Sequence, residues 1–227
     1  MNEPYGFRPK KRSIFGSFSV TITLIAVTVI AFIFFLFLAF FFRNNLEALY
    51  DYTALKPSNI IQGRHLWTFI TSIFLHGGFF HLMANMLSLL FIGSFVEKIL
   101  GARRLLLFYL ISGLFAGLFF VATSYLFFIG DVNTYAVGAS GALFGLVGLL
   151  VLLTPNLPVF VMFIPIPIKM KYAGPGMLVL LWLISLAASL PIGNTAHFGG
   201  LVAGVVYGIY LRKRYSKKIK YISRYFS

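Results

Sequence analysis

The sequence predicts an all-α polytopic membrane protein, a six-transmembrane-helix bundle with both termini in the cytoplasm. Three observations predict it. The 227-residue chain is 59% hydrophobic and only 11% charged, whereas a soluble domain carries about a quarter charged residues. Several apolar runs exceed the ~18 residues that mark a membrane-spanning helix. The basic residues fall on alternate connecting segments, as expected when Lys and Arg stay on the cytoplasmic side.

The elements follow in order. Residues 1–18 form a basic segment holding Arg8, Lys10, Lys11 and Arg12. The apolar run after it resembles a signal peptide, but it is too long and lacks a small-residue cleavage site. It is read as a retained first helix, 19–42. Further spans are predicted at 80–99, 104–128, 140–154, 175–190 and 196–212. No polar linker interrupts them, so 19–212 is one six-helix domain, and 213–227 is a basic tail. Sixteen of the nineteen Lys and Arg then share one side, leaving Arg43, Lys56 and Arg64 on the other. This placement explains the net charge of +14 through topology and contact with anionic lipid, and argues against nucleic-acid binding. There is no cysteine, which excludes disulfides and thiolate chemistry.

Two connecting segments are unusual. The outer loop 43–79 is long and half apolar, and "HLWTFITSIFLHGG" reads as partly interfacial. On the inner side, "LPVFVMFIPIPI" is apolar, but Pro158, Pro165 and Pro167 argue against a helix.

The fourth and sixth spans are predicted to be short. Pro155 ends the fourth, and counting back to Ser140 gives about 15 residues, or ~22 Å at ~1.5 Å per residue. Counting back from Arg212 to Ala196 gives about 16 residues, also fewer than the ~20 that cross the hydrocarbon. Both helices would then begin below the outer surface, in an indentation open to the outside. The polar residues at these two starts are Ser140 and His197. Gly141 and Gly145 on the fourth span, and Gly200, Gly204 and Gly208 on the sixth, form small-residue stripes that let helices approach closely. Close packing would bring hydroxyl and imidazole within reach.

That pairing suits acyl transfer. A serine becomes nucleophilic when a base takes its proton, and histidine titrates near working pH. A helix start also offers unpaired N–H groups for an oxyanion. No carboxylate is placed to orient the imidazole: Glu97 lies on the inner side and Asp131 in an outer loop. A dyad is therefore expected rather than a triad. His81 and Asn85 are four apart on one helix face and can donate to the same oxyanion, while His76 is expected in the preceding loop.

Together, "HGGFFHLMAN", "VEKILG", "GASGALFG" and "AHFGGLVAG" make the chain resemble a rhomboid intramembrane serine protease of the six-helix bacterial or archaeal form. The resemblance covers 64–212. It implies a serine endopeptidase in a prokaryotic plasma membrane, cutting single-pass transmembrane substrates near the outer face. Ser140 is then the nucleophile and His197 the general base. His81, Asn85 and the Ser140 backbone N–H form the oxyanion hole, with Gly138 and Gly141 flanking the serine. Phe144 packs on the His197 ring, and Glu97 ties the second helix to its surroundings. Substrate enters sideways between the second and fifth spans. No cofactor or metal is implied, and no nucleic-acid partner. In one departure, the Trp-Arg pair usual in the family's first outer loop is replaced here by Trp67 and Thr68, with Arg64 as the substitute brace.

Other readings follow from the same residues. A non-catalytic rhomboid-like protein would bind or escort membrane clients, but such relatives have generally lost the serine or the histidine. A channel or transporter would want a continuous polar path and an inverted repeat, and neither is visible. A metal site at His65, His76 and His81 lacks a nearby carboxylate. Trp67 and Trp182 suit interfacial anchoring. Pro191 and Gly193, in "SLPIGNTA", are candidate hinges of a lid.

Overall fold

The computed structural model describes residues 19–127, 131–161, 164–188, 193–217 and 219. The basic segment 1–18, the Pro191 hinge and most of the final tail lie outside the described residues.

The described chain is almost wholly helical. The first span is α1 (Val20–Phe41), followed in the outer loop by three short helices, α2 (Leu46–Thr53), α3 (Pro57–Ile61) and α4 (Thr68–Phe74). The second span is α5 (Phe79–Ser88) continuing through a π-turn, Leu89–Gly93, into α6 (Ser94–Leu100). Next come α7 (Ala102–Leu126), α8 (Ser140–Leu153), α9 (Met170–Ala188) and α10 (Asn194–Arg214). Four stretches among the described residues are long and apolar enough to cross a membrane: Val20–Phe41, Phe79–Leu100, Ala102–Leu126 and Met170–Ala188. The outward face of α1 carries Ile30, Ile33 and Phe40, each at least 60% exposed, as expected of a helix whose solvent is lipid.

At the centre stands α8. A helix that is apolar all round belongs in the interior, and residues from Gly141 to Leu146 are all buried, with Leu146 and Leu149 at 0% exposure. It packs chiefly on α10 and α7. The contact with α10 is backbone on backbone. A methyl group at Gly200 would collide with the Gly141 carbonyl oxygen, and one at Gly204 with that of Gly145. The stripes read from the sequence therefore do meet. On the α7 side, the Ser112 hydroxyl donates to the Tyr109 carbonyl (3.1 Å) and lies 3.4 Å from that of Ala142.

Glu97, in α6, caps the start of α1. Its carboxylate accepts from the Ser19 hydroxyl (2.7 Å), the Val20 and Thr21 amides (2.8 and 3.0 Å) and the Thr21 hydroxyl (2.7 Å). These bonds satisfy donors that have no partner inside the helix. The carboxylate thus ties the second span to the first.

Two expectations are corrected. The helix predicted at 196–212 is not short: α10 has 21 residues. Asn194 and Thr195 extend it at its start after a non-helical Gly193, and Arg212–Arg214 extend it at its end, where basic side chains suit the negative end of the helix dipole. Only α8, at 14 residues, is short; Thr154 leaves helical geometry ahead of Pro155. The helix predicted at 175–190 starts earlier, at Met170, and carries Pro175 inside it. The apolar loop before α9 is not helical, as its prolines predict: it holds an antiparallel hairpin, β1 (Pro158–Val159) with β2 (Ile168–Lys169), with Pro158 at the first residue of its strand.

Candidate active site

Ser140 opens α8 and His197 lies in the first turn of α10. Because glycines bring the two helices into backbone contact, their first turns converge. The Ser140 Oγ and His197 Nε2 are 2.8 Å apart, a hydrogen bond between residues 57 positions apart in sequence. His197 is buried, at 6% exposure. The Phe144 ring stacks on the imidazole, with centroids 4.7 Å apart and planes at 22°. Phe144 is one turn beyond Ser140, so the same helix presents both the hydroxyl and the platform that fixes the ring.

His81 approaches from α5. A methyl placed on Gly138 would lie 2.9 Å from His81 Cε1, 3.0 Å from its Nε2 and 3.7 Å from the Ser140 Oγ. The imidazole edge and the hydroxyl thus flank the Gly138 Cα. Gly138 also has φ +122°, a backbone conformation that disfavours any side chain. Gly141 faces α7, where an added methyl would meet the Ala116 Cβ at 2.7 Å. Asn85, one turn after His81, is buried and donates from Nδ2 to the His81 carbonyl at 2.8 Å. That bond fixes the carboxamide and leaves its second N–H for another acceptor. The first-turn N–H groups of α8 have no partner within their own helix.

Some contributors were not read from the sequence. His76 lies in the loop before α5, as expected, but it is 2% exposed, its ring is 5.1 Å from that of His81, and its Nε2 lies 3.5 Å from the Ala139 amide. It supports the turn that carries Ser140. Its only signal was proximity to "HGGFFH". The brace of the outer loop was also missed. The Asp51 carboxylate accepts from the Tyr135 hydroxyl (2.7 Å), Lys56 Nζ (3.1 Å) and Asn59 Nδ2 (3.1 Å), and Lys56 also donates to the Tyr135 oxygen at 3.2 Å. Beside this cluster Leu55 and Ala136 pair as an antiparallel bridge, and the Gly138 amide donates to the Ser72 carbonyl. The loop is thereby stitched to the chain entering Ser140.

The expected substitute brace, Arg64, does not act as one. Its side chain is exposed, and none of the side-chain hydrogen bonds or ion pairs seen among the described residues involves it. Thr68 instead donates to the His65 carbonyl, and Trp67 Nε1 to that of Tyr52. The brace cluster is electrostatically self-consistent. Partial burial raises the Asp51 carboxyl, but the bonds from Tyr135, Lys56 and Asn59 outweigh it and hold the group below its ordinary value. The bond with Tyr135, and then that with Asp51, hold Lys56 above its ordinary value against desolvation. Burial and Asp51 push the Tyr135 phenol up. Asp131 is spent locally, accepting from the Asn133 amide.

The model of the rhomboid domain family matches residues 63–214. The chain belongs to the rhomboid family. Among curated proteins this rhomboid is 37% identical to RHOMBOID-like protein 5 of Arabidopsis thaliana over 158 residues, 68% of this chain and 47% of that protein. It is 32% identical to the rhomboid protease GluP of Bacillus subtilis (strain 168) over 202 residues, 87% of this chain and 36% of GluP. It is also 35% identical to the inactive RHOMBOID-like protein 8 of Arabidopsis thaliana, over 89 residues, 39% of this chain and 23% of that protein. The chain spans about half or less of the length of the curated relatives it matches. The expected prokaryotic origin is overturned by the plant relatives. Family and apolar helices together make this an integral membrane protein.

Proposed function

We propose that this rhomboid is an intramembrane serine endopeptidase in which Ser140 and His197 form a catalytic dyad. The observation that carries the reading is the 2.8 Å contact between Ser140 Oγ and His197 Nε2, on two helices held together by glycines. His197 Nε2 takes the hydroxyl proton as Oγ attacks the scissile carbonyl carbon. The same proton passes to the leaving amine, which departs as the acyl-enzyme forms. Water, deprotonated by His197, then hydrolyses the ester and restores Ser140. His81, the second N–H of Asn85 and the Ser140 backbone N–H are assigned to the developing oxyanion. Gly138 and Gly141 supply the room, and Phe144 the platform.

The short α8 supports an active site below the outer surface, because a 14-residue helix covers ~21 Å of the ~30 Å hydrocarbon layer. In this reading α8 and α10 join the four long stretches to make six spans, with both termini cytoplasmic by the distribution of basic residues. Substrates are single-pass transmembrane proteins that enter sideways between the second and fifth spans. Their helix unwinds locally, because a peptide bond inside an intact helix has its backbone groups tied up. No cofactor takes part.

The test is cleavage of a single-pass substrate in proteoliposomes. The wild type cuts; Ser140→Ala and His197→Ala each lose at least ~1000-fold in rate while keeping their thermal unfolding transition. The alternative, a non-catalytic escort of membrane clients, is favoured by the match to an inactive relative. It predicts binding of substrate without cleavage by the wild type.

A further inference from the structure

Two buried polar atoms of this site have no hydrogen-bond partner among the described residues: His197 Nδ1 and Asn194 Oδ1. They are three residues apart on α10, so they share a face of its first turn. Their hydrogen-bonding characters are complementary. When Nε2 accepts from the Ser140 hydroxyl, the ring proton resides on Nδ1, which becomes a donor. The carboxamide oxygen of Asn194 can only accept. Polar atoms in such positions are rarely left unpaired, and buried water commonly satisfies those that protein groups do not. No carboxylate among the described residues competes for the role, Glu47 being exposed beside Lys56. Asp131 is engaged with the Asn133 amide, Glu97 with the start of α1, and Asp51 with the outer-loop cluster. The His197 amide itself is bonded to the Gly193 carbonyl, which fixes the backbone but not the ring.

We infer that Asn194 is the positioning residue of the dyad, its Oδ1 accepting from His197 Nδ1–H through one water molecule. This rests on the proposed dyad and deepens it. Asn194 keeps the proton on Nδ1, so that Nε2 stays free to take the serine proton. It also stabilises the imidazolium that forms when it does. A neutral acceptor thereby stands where soluble serine proteases hold a carboxylate.

The test compares Asn194→Leu, which keeps the volume without the acceptor, Asn194→Ala, which cannot crowd the helix start, and Asn194→Asp, which keeps the acceptor. The readouts are kcat and KM on a transmembrane substrate in proteoliposomes, with Ser140→Ala as the blank. Leu and Ala are expected to lower kcat about tenfold or more with KM unchanged, as loss of an orienting acceptor does, and Asp to restore it. A wild-type kcat in both Leu and Ala variants overturns the inference while leaving the dyad standing. So does an equal loss in all three variants, which marks a packing role. A wild type no faster than Ser140→Ala overturns the dyad and the inference together.

Discussion

Among single residues, Gly138 is the most constrained in the site. Its φ of +122° and the 2.9 Å to which an added methyl would approach His81 act together. Gly138→Ala therefore strains the backbone by ~1–3 kcal/mol and pushes His81 away from Ser140. The expected result is a fall in proteolytic rate on the order of a hundredfold, the scale of an ångström's misplacement. The protein should still unfold cooperatively. Near-wild-type cleavage by the alanine variant would show that the His81 position does not matter. The serine, the histidine and their glycine neighbours were legible in the sequence, because helix periodicity alone puts them at the tops of two small-residue stripes. His76 was not legible. Its contact with the Ala139 amide joins residues 63 apart, and nothing local announces such a bond.

At the scale of elements, the account rests on the contact of α8 with α10. A methyl at Gly204 would meet the Gly145 carbonyl, the Leu149 amide at 2.7 Å and the Gly148 Cα at 2.9 Å. All are main chain and cannot swing aside. Gly204→Ala is expected to cost about 1–3 kcal/mol and to lower the unfolding temperature in detergent. Gly176→Ala, on α9, where nothing lies within 4 Å, should leave it unchanged or slightly raised through better helix propensity. Equal behaviour of the two variants would remove the argument that backbone contact sets the spacing of Ser140 and His197. Helix types and order were legible from apolar runs. The ends were less so, since α9 begins five residues ahead of Pro175 and carries it within its second turn at the loss of one intrahelical bond. Arg212–Arg214 also extend α10 past the point where the apolar pattern stops. The hairpin of the inner loop had only a negative signal, its prolines.

At the scale of the whole molecule, the outer loop and the segment entering Ser140 behave as one body because Asp51, Lys56 and Tyr135 join them. Asp51 is held low, so its contribution is present above its unfolded pKa of about 4 and is lost as pH falls through the lower folded value. Lys56 and Tyr135 are held high, so theirs are present below about pH 10 and are lost as pH rises through the higher folded values. Glu47, 3.8 Å from Lys56 at the solvent edge, adds little. Loop anchoring should therefore be flat between those limits. Trp67 donates to the Tyr52 carbonyl within this loop, and its fluorescence in a Trp182→Phe background reports the anchoring. Tyr135→Phe removes bonds that shift Asp51 and Lys56, so it should shrink the losses at both ends; a profile like the wild type's would mean that the cluster does not hold the loop. This tie was illegible in the sequence, because its members are 79 and 84 positions apart and each alone reads as an ordinary surface residue.

The most direct measurement of the central claim is covalent labelling of the purified protein by a fluorescent serine-reactive phosphonate, with intact mass and peptide mapping to locate the adduct. The account predicts one adduct, on Ser140, in the wild type, and none in Ser140→Ala or His197→Ala. An unlabelled but folded wild type, or an adduct that persists in His197→Ala at the wild-type rate, would contradict it.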